Sequence, residues 1–107
     1  MPERLQVSTT TETKEQAERL AEALVERRLV ACVQIVGPIK SIYRWQGKVE
    51  KAEEWLLLAK TSQCRYAEVE AAIKALHSYE VPEVIAVPIV GGSGEYLAWL
   101  EDALEAE

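Results

Sequence analysis

The sequence predicts an α+β domain, and three observations carry that expectation. Strand-like and helix-like patterns follow one another in the order β-α-β-β-α-β, with one more helix at the end. The two central strand patterns are joined by only Gln46-Gly47, and each arm runs to about a dozen residues against a usual ~5–6. The chain has 107 residues, close to half of them hydrophobic and about a quarter charged, which is the size and balance of one globular domain spanning residues 1–107.

Each element has its own reason. Leu5-Gln6-Val7-Ser8-Thr9 alternates and is rich in β-formers, so it reads as a first strand. Thr13-Lys14-Glu15-Gln16 fits a capping box, and Ala17, Leu20, Ala21, Leu24 and Val25 then repeat at helical spacing. Arg27 and Arg28 close that helix, where cations suit the negative end of the dipole. Residues 29–36 form a strongly apolar strand, and Gly37-Pro38 marks an edge, a bulge or a break in it. The strand pattern resumes over residues 39–45. Gln46-Gly47 is the hairpin tip, with the glycine supplying a positive φ. The return strand begins charged, over residues 48–54, and becomes apolar at Trp55-Leu56-Leu57-Leu58-Ala59. Residues 64–77 carry Tyr66, Val69, Ile73 and Leu76 on one helical face, and Val81-Pro82 ends that unit. Residues 84–90 are a further strand. Gly91-Gly92-Ser93-Gly94 is a loop with Ser93 as N-cap, and the last helix turns Tyr96, Leu97, Leu100, Ala103 and Leu104 inward.

This order is the ferredoxin-like βαββαβ sandwich, with a long β2–β3 hairpin and an extra C-terminal helix. Two helices cover one face of a four-stranded antiparallel sheet. The other face needs cover, and one terminal helix is too little. Both alternate faces of residues 55–59 are apolar, so that strand is expected to be buried on both sides. The charged start of the same strand guards its protruding part against wrong edge pairing. Packing between copies of the chain satisfies all of this, with the hairpin, residues 39–61, buried against its neighbours.

The charge balance excludes some partners. Twelve basic residues face eighteen acidic ones, a net charge of −6, and no basic cluster stands out. Nucleic acid and anionic membrane surfaces are therefore not expected partners. The opening Met1-Pro2-Glu3-Arg4-Leu5-Gln6 has no signal-peptide pattern and no apolar run could span a bilayer, so a cytoplasmic location is expected. Cys32 and Cys64 are then free thiols, Cys32 as a small core hydrophobe and Cys64 as an incidental group opening a helix.

Several phrases, in order, are similar to the CutA divalent-cation-tolerance family. They are Ala31-Cys32-Val33, Ser41-Ile42-Tyr43-Arg44-Trp45-Gln46-Gly47, Leu57-Leu58-Ala59-Lys60-Thr61, the stretch from Ala75 through His77-Ser78-Tyr79-Glu80-Val81-Pro82 to Glu83, and Glu95-Tyr96-Leu97-Ala98-Trp99-Leu100. The resemblance implies the ferredoxin-like fold, a tight homotrimer, kinship in shape with PII-type signalling proteins, and a link to tolerance of copper and other divalent cations. It brings no catalysed reaction. In the family's copper-binding description a first-strand cysteine and paired histidines take part. This chain has Ser8 at the first of these positions, Leu76 at the first histidine, and Ser78 in place of a proline; His77 alone remains.

The candidate site residues follow. His77, the sole histidine, closes the second helix; it is either a packing residue or a metal ligand, with Glu83 or a neighbouring subunit's groups beside it. One imidazole with carboxylates gives modest affinity, so copper or another divalent cation would be held weakly and no cofactor is obligatory. Tyr43, Trp45, Lys60, Tyr79 and Glu83 either line a cleft between subunits or, for the two hairpin aromatics, anchor the trimer. The glycine-rich loop at residues 91–94 lacks the Lys-Ser/Thr of a P-loop. No triad, carboxylate dyad or multi-ligand metal motif can be assembled, so an enzyme is not expected. The expected function is a metal-responsive homotrimer that binds divalent cations weakly. The alternative is a PII-like scaffold that takes a small ligand or a partner's segment at its inter-subunit clefts.

Overall fold

The computed structural model describes residues 3–105. Its elements are β1 (Arg4–Thr11), α1 (Lys14–Glu26), β2 (Cys32–Trp45), β3 (Lys48–Ser62), a 3₁₀ turn (Gln63–Arg65), α2 (Tyr66–Leu76), β4 (Ile85–Pro88) and α3 (Gly94–Leu104). The strands form one sheet in the order β2-β3-β1-β4, all neighbours antiparallel. This is the predicted ferredoxin-like arrangement.

The local signals act much as the sequence suggests. Thr13 caps α1, its Oγ1 accepting from the Gln16 backbone N–H at 3.1 Å. The reciprocal arm of the capping box is not made; the Gln16 amide donates to Ser78 Oγ at 2.9 Å instead. Beyond α1, Arg28 has φ +55, the left-handed position more often given to glycine after a helix. Ser93 caps α3 by accepting from the Tyr96 backbone N–H. Gln46 and Gly47 both have positive φ, +49 and +81, as a two-residue hairpin requires if it is to keep the twist of its strands.

Three boundaries differ from expectation. Residues 29–31 are a buried connection and the strand starts at Cys32, because the Leu29 and Val30 amides still bond back to Leu24 in α1. Gly37-Pro38 does not end the strand. The two residues, joined by a cis peptide, form a bulge opposite Trp55, and pairing resumes at Ile39 with Glu54. A Cβ on Gly37 would lie 2.3 Å from Trp55 Cδ1, so only glycine lets the indole cross the bulge. The helix expected from Cys64 begins at Tyr66, and the strand expected over residues 84–90 keeps only Ile85–Pro88, at the sheet edge, where β1 pairs with it from Leu5 to Ser8.

The core lies between the helices and one face of the sheet. Ala17, Leu20, Ala21 and Leu24 of α1 and Val69, Ala72 and Ile73 of α2 pack on Val7, Leu57 and Ala59, with Val33, Ile35 and Trp55 at the margin. The other face carries Ser8 and Thr10, Leu56 and Leu58, Val36, and Ile85 and Val87, as the register dictates. α3 covers one end of it, where Leu100 and Leu104 bury Ala31 in a separate small cluster. The rest is open: Val36, Ile85 and Val87 are each about half exposed (46, 51 and 47%). Cys32 is on this face, half-buried and 3.6 Å from the Tyr96 hydroxyl, and not in the core; strand alternation gives the core positions to Val33 and Ile35. Cys64 is exposed and sits in the 3₁₀ turn, with Sγ 3.2 Å from Ser62 Oγ. No helix among the described residues is long and apolar enough to cross a membrane.

The hairpin leaves the body of the fold. The radius of gyration is 14.4 Å and the long axis 44 Å, where a compact chain of this length would have a radius near ~13 Å. The accessible surface is 6772 Å², against roughly 6000 Å² for a compact monomer of this mass.

Candidate functional site

The site is built around the segment that leaves α2. The helix stops at Leu76 because His77 turns to extended backbone, φ −83 and ψ 146, while its amide still bonds to Ile73. The imidazole then ties the segment to the sheet. Nδ1 accepts from the Tyr79 backbone N–H at 3.0 Å, and Nε2 lies 2.7 Å from the Thr10 carbonyl. A carbonyl can only accept, so Nε2 carries the proton and the ring is the Nε2–H tautomer. Ser78, one residue on, is held by Gln16 of α1. The Tyr79 ring packs on the imidazole, centroids 4.7 Å apart, and its hydroxyl donates to Glu54 Oε2 of β3 at 2.7 Å. Residues 77–79 are thus bonded to β1, α1 and β3 in succession.

This strap forms one wall of a cavity of about 550 Å³; the stem of the hairpin forms the other. Tyr43 and Trp45 from β2 and Tyr79 from the strap supply aromatic surface, with Ile42 and Val81 beside them. Glu54, Glu80 and Glu83 supply three carboxylates, and Thr10 and Ser41 two hydroxyls. Among the described residues no basic side chain lines the space. Tyr43 and Trp45 are exposed, whereas Glu54 is only 6% exposed. The Tyr79 phenol is pushed well above the ordinary tyrosine range, first by burial and then by its hydrogen bond to Glu54 and that carboxylate's charge. It therefore stays protonated and serves as a fixed donor to Glu54.

Four of the five predicted cleft residues, Tyr43, Trp45, Tyr79 and Glu83, meet in this one cavity. Lys60 does not line it. It lies six residues beyond Glu54 on β3, roughly 20 Å away along the strand, opposite Cys32 and Gln6, and donates to Gln34 Oε1. His77 stands behind the wall and does not line the cavity. Its side chain borders a separate crevice of about 10 Å³ with Gln16 and Leu76, room for one water at most. With Nδ1 holding Tyr79 and Nε2 holding Thr10, neither nitrogen offers a free lone pair. Among the described residues no three His, Cys, Asp or Glu side chains converge as a metal cluster.

Glu54 is the residue that sequence reasoning misplaced. It reads as part of a charged, solvent-facing strand start, yet it is nearly buried because the strap closes over it. One signal was available: Glu54 directly precedes the apolar run 55–59, where β3 enters the body of the fold. Ser41 and Glu80 stand inside the family phrases without being singled out there, and Thr10 had no distinguishing sequence signal.

A family profile described as "CutA1 divalent ion tolerance protein" matches residues 5–103. The chain belongs to the CutA family. It is 49% identical over 96 residues to the divalent-cation tolerance protein CutA of Thermus thermophilus, covering 90% of this chain and 93% of that protein. It is 44% identical to the chloroplastic CutA of Arabidopsis thaliana, covering 91% of this chain but only 53% of that longer protein. The structure described as the periplasmic divalent cation tolerance protein CutA from Archaeoglobus fulgidus superposes with a TM-score of 0.92 at 41% identity, covering 95% of this chain and 99% of that one. The resemblance read from the sequence phrases and the ferredoxin-like fold are both borne out. Ser8, which stands at the cysteine position of the family's copper-binding description, lies mid-strand between Leu58 and Ile85 on the open face.

Proposed function

We propose that this CutA-family chain serves divalent-cation tolerance as a homotrimer that draws cations into the acidic, aromatic cavity at the stem of its hairpin. One observation carries the reading: three carboxylates, one of them nearly buried, line a cavity that no basic side chain among the described residues lines. Such a lining lowers the potential inside and concentrates cations there. A divalent ion, copper included, would keep much of its water shell and bind weakly, because among the described residues no compact set of donors converges on it. His77 could join as a ligand only by giving up its bond to Tyr79 or to Thr10. The reading is of a binding protein and not of a catalyst.

The trimer rests on separate support. Exposed apolar side chains cover the open sheet face, and Ile42, Val49, Tyr43 and Trp45 stand out along the hairpin. A face of that kind, on a chain with more surface than its mass requires, is what association between copies would cover. The relatives' names point to different compartments, periplasmic in one and chloroplastic in another, so family membership does not fix the location. The two free thiols are what favour the cytoplasm.

Two measurements test the proposal. Solution mass should correspond to three chains; a stable monomer would end the assembly reading. Calorimetric titration with copper, zinc and magnesium salts should give dissociation constants of about 10⁻⁴ M or weaker, as for carboxylate-and-water sites. Glu80→Gln and Glu83→Gln should weaken that binding more than His77→Ala, which acts on the carboxylates only through the strap. Loss of binding in His77→Ala alone would return the metal to the imidazole.

A further inference from the structure

We infer that α3 is a lid fastened by a latch of two arginines, Arg28 and Arg65, and that it opens while the rest of the fold stays closed. The end of the helix argues first. A last helical turn leaves carbonyls without partners inside the helix, and cations suit its negative end. α3 has no basic residue in its last turn and carries Glu101 and Asp102 there instead. The Asp102 carbonyl is met by the Glu105 backbone N–H at 3.2 Å. The next two carbonyls are met from outside the helix. Arg28 Nη1 donates to that of Ala103 at 3.1 Å, and Arg65 Nη2 donates to that of Leu104. Arg4 of β1 adds an ion pair to Glu101 at 3.1 Å. The positive charge that α3 lacks in its own last turn thus comes from the end of α1, the 3₁₀ turn and β1, at the end of β3 farthest from the hairpin tip.

Arg28 argues second. Its φ of +55 is a conformation that glycine adopts freely and a residue with a Cβ adopts under strain. An arginine held there brings its guanidinium to α3, across 75 residues of chain, and that contact gives the strain a purpose. Packing argues third. α3 rests on a small cluster of its own, Leu100 and Leu104 on Ala31 with Ile89 and Ala103 beside them, separate from the main core. The loop that leads into it, residues 90–93, is exposed throughout. An element with little share in the main core, an exposed hinge at one end and polar fastenings at the other opens at a lower free energy than the body of the fold. The latch lies within one chain, so nothing in it requires a surface free of neighbouring copies.

Amide hydrogen exchange of the assembled protein tests the inference. In the wild type, the α3 amides of residues 98–104 should exchange at least about tenfold faster than the α2 amides of residues 70–76. Arg28→Gly then removes the latch and the backbone strain together. Residue 28 keeps its conformation when α3 alone opens, so relief of strain does not enter that step. Exchange in α3 should rise about tenfold, equivalent to about 1.4 kcal/mol for one lost bond from a charged donor. In global unfolding the lost bond and the relieved strain oppose each other, so exchange in α2 should change by less than about threefold. Arg65→Ala, at the adjoining carbonyl, should raise α3 exchange by a similar factor. Equal exchange of α2 and α3 in the wild type overturns the inference, and would follow if a neighbouring copy clamped α3 in the trimer. Unchanged α3 exchange in both variants removes the latch. A rise of the same factor in α2 and α3 of Arg28→Gly removes the lid, since α3 would then open only with the whole fold.

Discussion

Removing one oxygen atom tests the link between strap and site. Tyr79→Phe keeps the ring on His77 but takes away the hydroxyl that donates to Glu54 at 2.7 Å. The bond is charge-assisted, and its acceptor is only 6% exposed. Leaving such a carboxylate without its donor costs about 1.5–3 kcal/mol. The adjoining cavity lets water replace the hydroxyl, so we expect the lower half of that range. At about 4–8 °C per kcal/mol for a domain of this size, the melting temperature should fall by roughly 6–18 °C at fixed protomer concentration.

The same pair predicts a pH effect of definite sign. The phenol is held above its unfolded pKa of 10.0, so between the two values the unfolded chain has lost a proton that the native chain keeps. Stability from this group is complete below pH 10 and falls as pH rises through the native value, by up to about 1.4 kcal/mol per pH unit. Denaturant melts of wild type and Tyr79→Phe from pH 8 to 11 isolate this slope, because the two proteins differ in no other ionisable group. A double-mutant cycle with Glu54→Gln should show coupling of about 1 kcal/mol. A variant as stable as wild type, or two losses that simply add, would refute the role given to this bond.

Other perturbations have equally definite outcomes. Gly37→Ala forces a methyl group into the Trp55 ring and should cost about 1–3 kcal/mol by urea denaturation, relieved in part when Trp55 is also changed to Leu. Trp45→Ala should loosen the trimer more than it unfolds the protomer, seen as dissociation on dilution in sedimentation with helical circular dichroism retained; a trimer that survives dilution and heating would count against Trp45 as an anchor. His77→Ala leaves the Thr10 carbonyl and the Tyr79 amide without their partner and should cost about 1–3 kcal/mol in a melt, with hydrogen exchange rising first at residues 77–83.

Most of the fold was legible because it depends on local patterns. The period-two run of β1, the cap at Thr13 and the Gln46-Gly47 turn each act within a few residues, and the structure uses each of them. The misreadings lie where a distant partner decides. Residues 84–90 look like one strand, but only the part opposite Leu5 to Ser8 finds a neighbour. Cys32 lies within an apolar run and reads as core, yet the register with Lys60 turns it to the other face. Lys60 sits in a family phrase with Thr61, and the strand's alternation sends the two apart: Thr61 inward to the Leu29 carbonyl, Lys60 outward to Gln34. Four cleft residues were legible from the family phrases, whereas Glu54 was not, because its burial is made by a strap that arrives 25 residues later in the chain.

That strap also explains why a lone histidine is useful here. A connection leaving a helix has backbone groups that need partners, and a mobile one could not hold a cavity wall. His77 meets both needs with a single ring. Its proton goes to Thr10 in the sheet and its lone pair takes the next free amide, that of Tyr79. The ring then fixes where Tyr79 stands, and Tyr79 fixes Glu54. No residue other than histidine offers a donor and an acceptor on opposite sides of one rigid ring, so a substitution can keep one bond but not both. The variant His77→Asn would separate this bridging role from a metal role: its amide can still donate and accept but cannot span the same distance. If His77→Asn loses the Tyr79–Glu54 coupling while cations still bind at the carboxylates, the imidazole acts on the site through the strap and not through a metal.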